Sequence, residues 1–133
     1  MAQTGIFPAP LEWNVTTAND GATAVYGNTS DQNPFGTWTF QFVPSLTFTG
    51  TFGVVGRGAR IPTTDTTVPW MPVPYRRVTL ANTAQDYAIV TAVLAGTNDI
   101  IDVPANGKAI GILISCQAGS CLIRARWSIL NSL

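Results

Sequence analysis

Chemistry in a chain of this kind begins with the side chains that can ionise, ligate or attack, and here they are few. Histidine is absent, which removes Ser-His-Asp and Cys-His nucleophiles and nearly all zinc, copper and non-haem iron sites. Cys116 and Cys121 are the only thiols, and two thiolates without a histidine do not complete a tetrahedral zinc site. A disulfide between them is sterically allowed if their strands pair, but a cytosolic protein keeps its thiols reduced, so small buried thiols are the expectation. Asp99 and Asp102 form the tightest acidic pair. A calcium site needs six or more oxygens from a dense acidic loop, and a glycosidase needs two carboxylates flanking one cleft. With only Ile100-Ile101 between them, these two aspartates read as turn caps. The stretch Gly53-Val-Val-Gly-Arg-Gly-Ala-Arg60 imitates a phosphate loop but lacks the GxxxxGK[ST] pattern and a following helix, so its glycines are expected to mark a bulge or tight bend. No catalytic residue, metal ligand or cofactor is expected, and the chain reads as non-enzymatic.

The basic residues carry more information. Seven Lys and Arg balance seven Asp and Glu. A nucleic-acid binder that neutralises phosphates would carry a basic excess, so direct nucleic-acid contact is not expected. All the basic residues but Lys108 are arginine. Arginine is enriched at protein interfaces because its planar fork pairs bidentately and is weakly hydrated. Arg76-Arg77, Arg124 with Arg126, and Arg57 with Arg60 are therefore candidate contacts to a partner's acidic or carbonyl-rich surface, although each could instead satisfy a nearby Asp or turn carbonyl. Trp70 and Met71, within the Pro-rich segment 61–74, and Ile6 and Phe7, near the start, are candidate apolar anchors.

The elements that must position these groups are strands. Gly and Pro punctuate the chain, and no window sustains a helical apolar period over three turns. Alternation by two is clear instead: Trp38, Phe40, Phe42, Leu46 and Phe48 on one side, Thr37, Thr39, Gln41, Thr47 and Thr49 on the other, with a turn at Val43-Pro44-Ser45. Further strands are expected over 51–56 and 73–80, then Tyr87–Leu94 and Ile100–Val103 around a turn at residues 96–99. The last two, 109–116 and 121–129, read as a hairpin with Cys116 opposite Cys121, placing Ile110, Ile112, Ile114, Ile123, Ala125, Trp127 and Ile129 on the core face and Leu113, Arg124 and Arg126 outside. About eight short strands indicate one all-β domain, an antiparallel β-sandwich of jelly-roll type over residues 11–133, preceded by an extended arm over residues 1–10. Residues 61–74 suit a stiff projecting loop. The first ten residues have no basic region or apolar run of a secretory signal, and no stretch is long enough to span a membrane as a helix. A soluble protein made in a cytoplasm is expected.

An outer surface of Thr, Ser, Gln and Gly with zero net charge suits a part packed into an assembly better than a free monomer. In this combination of a small Thr/Gly-rich sandwich, apolar N-terminal arm and closing Ile/Arg/Trp strands, the chain resembles the small jelly-roll cement or decoration proteins of tailed-bacteriophage capsids. That resemblance implies a virion protein, dimeric or trimeric, that bridges major capsid proteins on the outside of the head. Two alternatives stay open: a carbohydrate- or receptor-binding module of a phage tail or fibre, with Trp70 or Tyr75 stacking on a sugar, and a self-assembling coat subunit.

Overall fold

A computed structural model describes residues 5–27, 36–58, 61–62, 65–79, 84–88 and 99–128. Eleven strands lie within it: β1 (Ile6–Pro8), β2 (Glu12–Val15), β3 (Thr23–Tyr26), β4 (Thr37–Pro44), β5 (Thr49–Gly58), β6 (Met71–Pro72), β7 (Tyr75–Thr79), β8 (Ala84–Ala88), β9 (Asp99–Pro104), β10 (Lys108–Ala118) and β11 (Cys121–Ser128). A single 3₁₀ turn, Thr17–Asn19, separates β2 from β3. The strands form two sheets, one in the order β1-β3-β10-β5-β6 and the other β2-β11-β4-β9-β7-β8. Every pairing is antiparallel except that of β1 with β3. The architecture is an all-β sandwich. Its pairings are nested, β2 with β11, β3 with β10, β4 with β9 and β5 with β6, so the first half of the chain runs back alongside the second.

Alternation fills the space between the sheets. Trp38, Phe40 and Phe42 of β4, Ile101 and Val103 of β9, and Cys121, Ile123 and Ala125 of β11 face Phe52 and Val54 of β5, Ile110, Ile112 and Ile114 of β10, and Ala24 and Tyr26 of β3. Rings meet across the gap, Phe42 on Phe52 with centroids 4.7 Å apart and Tyr26 against Phe40 at 4.9 Å. Each such side chain contributes about 1.5–3 kcal/mol by leaving water.

The expected closing hairpin is corrected. β10 pairs with β3 and β5, whereas β11 pairs with β2 and β4. Alternation fixes which face of a strand is apolar, and both arrangements turn the same isoleucines into the core; it does not say whether successive strands share a sheet. The chain crosses between sheets at Gly119, whose φ of +71° suits glycine and whose missing Cβ would lie 2.6 Å from the Phe48 amide nitrogen. Ser45 ties the crossing down, its amide donating to the Ser120 carbonyl at 2.8 Å and its Oγ accepting from the Ser120 amide at 3.1 Å. The strands expected over 51–56 and 73–80 also fall in opposite sheets.

Other expectations shift locally. Leu46 sits fully exposed in the turn after Pro44, while Phe48 re-enters the core. The glycines of 53–58 lie within the continuous strand β5, and the bulge occurs instead between Cys116 and Ala118. There Asp20 accepts from the Cys116 amide at 2.9 Å and from the Gln117 Nε2 at 3.3 Å. The expected strand 87–94 overlaps β8 at Tyr87 and Ala88; its remainder, residues 96–98, Arg60 and Ile129 lie outside the described residues.

Candidate interaction surface

The outer faces of the two sheets differ in chemistry. On the six-stranded sheet the outward positions are mixed, with Leu122 beside Val43, then Arg124, Gln41 and the exposed Ile100 in register, then a wholly polar row. Arg126, Thr39, Asp102 and Arg76 are cross-strand neighbours in sequence across β11, β4, β9 and β7. Thr39 Oγ1 donates to Asp102 Oδ1 at 2.7 Å, so this aspartate lies within a strand and is not a turn cap. Arg124 stands 3.6 Å from Glu12, both more than half exposed, a pairing worth little in water. A shallow groove of about 480 Å³ runs beside these residues, lined by Leu11, Glu12, Arg124 and Trp127 among others.

The outward side of the five-stranded sheet is apolar and partly covered, Val25, Val55 and Gly111 being buried. One outward row is Pro8, Val25, Gly111, Val55 and Pro72; the next is Ile6, Thr23, Leu113 and Gly53. Leu113 is 41% exposed and Met71, on the edge strand β6, is 58% exposed. Among the described residues of these two rows there is no charged side chain.

The segment following β5 folds over this face. Arg57 is buried and spends its guanidinium inward: Nη1 donates to the Asp65 carbonyl at 2.7 Å and the Val68 carbonyl at 3.1 Å, and Nη2 to the Pro62 carbonyl at 3.0 Å. The same guanidinium lies 4.3 Å from the centre of the Trp70 ring. Trp70 in turn occupies the space above Gly111, where an added Cβ would come 3.1 Å from its Cε3 and Cζ3 and 3.1 Å from Val55 Cγ2. Asp65 closes the turn beneath by accepting from both the amide and the hydroxyl of Thr67 at 2.7 Å, and these bonds, the hydroxyl's first, hold its carboxyl below the usual carboxylate range. The described part of 61–74 is therefore a clamped cover on its own sheet, not a projecting loop.

The candidate residues separate accordingly. Ile6 and Met71 border the apolar face, and Trp70 is packed into it. Phe7 turns the other way, buried in the core with its ring 5.3 Å from that of Trp13, so it anchors its own sandwich and not a partner. Residues 6–8 pair with β3 as an edge strand, and that part of the expected arm belongs to the sheet. Arg76, Arg124 and Arg126 are exposed on the opposite sheet. Arg77 is half-buried and registers with the core residue Ile101, so the dipeptide Arg76-Arg77 splits between faces. Sequence reasoning placed Leu113 outside from its odd position among even-numbered core isoleucines, and its exposure agrees; it did not single out Arg57 as an internal clamp, or Val25 and Val55 as apolar residues beneath the cover.

Both cysteines are free and buried. Burial pushes the Cys121 thiol up to about 12 and raises that of Cys116. No cluster of three or more His, Cys, Asp or Glu exists among the described residues, nor any helix long and apolar enough to cross a membrane. Comparison of the chain with protein-family models, with curated proteins and with solved structures found no match.

Proposed function

We propose that this protein is a non-enzymatic structural component of a virus particle, a jelly-roll decoration protein that lays the outer face of its five-stranded sheet on the capsid shell and cements major capsid proteins together. The observation that carries this reading is that face itself: Ile6, Pro8, Leu113 and Pro72 reach the surface around a covered centre, where Val25 and Val55 are buried and Trp70 lies over Gly111, and the two rows hold no charge. Apolar outward rows rimmed by polar residues are a mark of protein contact. Repeated over a shell, a contact of ordinary size, ~1,600 Å² in total, becomes collectively strong through avidity. The nested order of pairings supports the jelly-roll form, because rolling one long antiparallel hairpin into a sandwich produces that nesting.

The sugar-binding alternative needs an aromatic ring with a free face. Tyr75 is 1% exposed, and Trp70 carries the Arg57 guanidinium over its ring and rests its Cε3–Cζ3 edge above Gly111. This favours a protein partner over a glycan.

Co-sedimentation of the purified protein with shells assembled from the major capsid protein encoded in the same genome tests the reading. Wild-type protein is expected to pellet with shells, and Leu113→Asp, which leaves the core untouched, to remain largely in the supernatant. Equal pelleting of both would remove the face from the contact, and binding to a glycan array without binding to shells would replace the reading. Shells formed by the protein alone in negative-stain microscopy would make it a coat subunit.

A further inference from the structure

We propose that the open edge of β5 is a self-association site, through which two copies join antiparallel about a two-fold axis to make one continuous sheet. On one side β5 pairs with β10 along its length. On the other, among the described residues, its only neighbour is the two-residue strand β6, at Val55 and Gly56. Among the described residues, Thr49–Val54 is thus about 20 Å of strand edge with no backbone partner on that side, at about 3.3 Å per residue.

Free-standing edges are usually blunted by Lys, Pro, an inward charge or a bulge, because an unprotected edge is a template for another strand. Thr49-Gly-Thr-Phe-Gly-Val54 has none of the residues that do this, and the bulge nearby lies in β10. The lack of charge also fits a second copy as the occupant, since a two-fold contact brings each surface against itself and like charges there would repel.

Residues directly opposite in an antiparallel pair share a face, and β6 blocks pairing beyond Val54, so an axis on Thr51 or on Phe52 uses most of the edge. An axis on Phe52 would set two buried rings against each other. The axis on Thr51 avoids this: Thr51 meets its own counterpart, Gly50 meets Phe52 and Gly53 meets Thr49. Each glycine then faces a larger side chain, and the central Thr–Thr pair is a favourable cross-strand combination. The same register brings the turn holding the exposed Leu46 of one copy toward the exposed Met71 and Pro72 of the other. This inference goes beyond the shell-binding reading and does not depend on it.

The test uses the full chain and the one position the two copies share. Wild-type protein is expected to run as a dimer in analytical ultracentrifugation. Thr51→Lys and Thr51→Asp, each setting like charges face to face at an exposed position, are each expected to raise the dissociation constant roughly tenfold or more. An equimolar mixture of the two variants is expected to regain the dimer, which a misfolded variant would not do. A monomeric wild type, a trimer, or Thr51→Lys dimerising as tightly as wild type would overturn the proposal, whatever the outcome with shells.

Discussion

Arg57 and Trp70 form a stacked pair, the guanidinium 4.3 Å from the indole centre, and the pair closes over a glycine in the strand beneath. Cation and ring are each held by something else: Arg57 by three backbone carbonyls, Trp70 by the hollow at Gly111. Removing either partner should therefore loosen the whole cover.

Lysine at position 57 tests the fork. An ammonium cannot reach the carbonyls of Pro62, Asp65 and Val68 with the planar geometry that arginine offers. Arg57→Lys is expected to cost about 2–4 kcal/mol, by loss of hydrogen bonds from a buried charged group. Urea denaturation measures the loss, and limited proteolysis should cut first within residues 61–70.

Gly111→Leu tests the hollow from the other side. The leucine side chain needs the space that Trp70 fills, so the indole must leave. A red shift of tryptophan emission is expected, together with a loss of about 1–3 kcal/mol, and the spectral change should vanish in a Trp70→Phe background.

Alkaline pH should unfold the protein through two buried acids. Burial raises the Tyr26 hydroxyl from 10.0 to about 12, against a smaller lowering by the Trp13 indole N–H that donates to it at 3.0 Å. Burial raises Cys121 from 9.0 to about 12. Both are neutral in the folded state and ionise more readily once unfolded, so their stabilisation is complete below pH 9 and is lost as pH rises toward 12. For Tyr26 the loss is about 2–3 kcal/mol. Circular dichroism against pH should show the decline, and Tyr26→Phe should make it shallower. Iodoacetamide should modify Cys121 at neutral pH only as fast as the protein opens.

Gly119→Ala should weaken the crossing between sheets. Alanine at a φ of +71° is strained, and its methyl would press on the backbone of Phe48. A loss of about 1–3 kcal/mol in thermal or urea unfolding is expected. Gly107 also has positive φ, but open space where its Cβ would lie, so Gly107→Ala should cost less.

Much of the fold can be read from residue type alone. The even-numbered isoleucines of β10, the Trp38-Phe40-Phe42 series and Ile123-Ala125 all point inward as alternation requires, because one buried face leaves a strand no other choice. Strand partners were not legible. The isoleucines at 110, 112 and 114 enter the same core whether β11 lies beside β10 or opposite it, and only the geometry of a four-residue link separates the two. The arginines show the same limit. Arg57, Arg76 and Arg124 look alike in the sequence, yet one is a buried clamp, one an exposed neighbour of Asp102 and one a partner of Glu12. What distinguishes them is the path of the intervening chain, above all the fold-back that brings the carbonyls of Pro62, Asp65 and Val68 to Arg57, which no local period encodes.

The nested pairing has a bearing on how this molecule comes into being. The last two strands, β10 and β11, occupy interior positions in their sheets, each flanked by partners that leave the ribosome much earlier. Neither layer can therefore zip up before these strands are made; β3 and β5 must await β10, and β2 and β4 must await β11. Maturation should be slow and nearly all-or-none, with the apolar surfaces of the early strands the natural clients of a chaperone until β10 and β11 arrive.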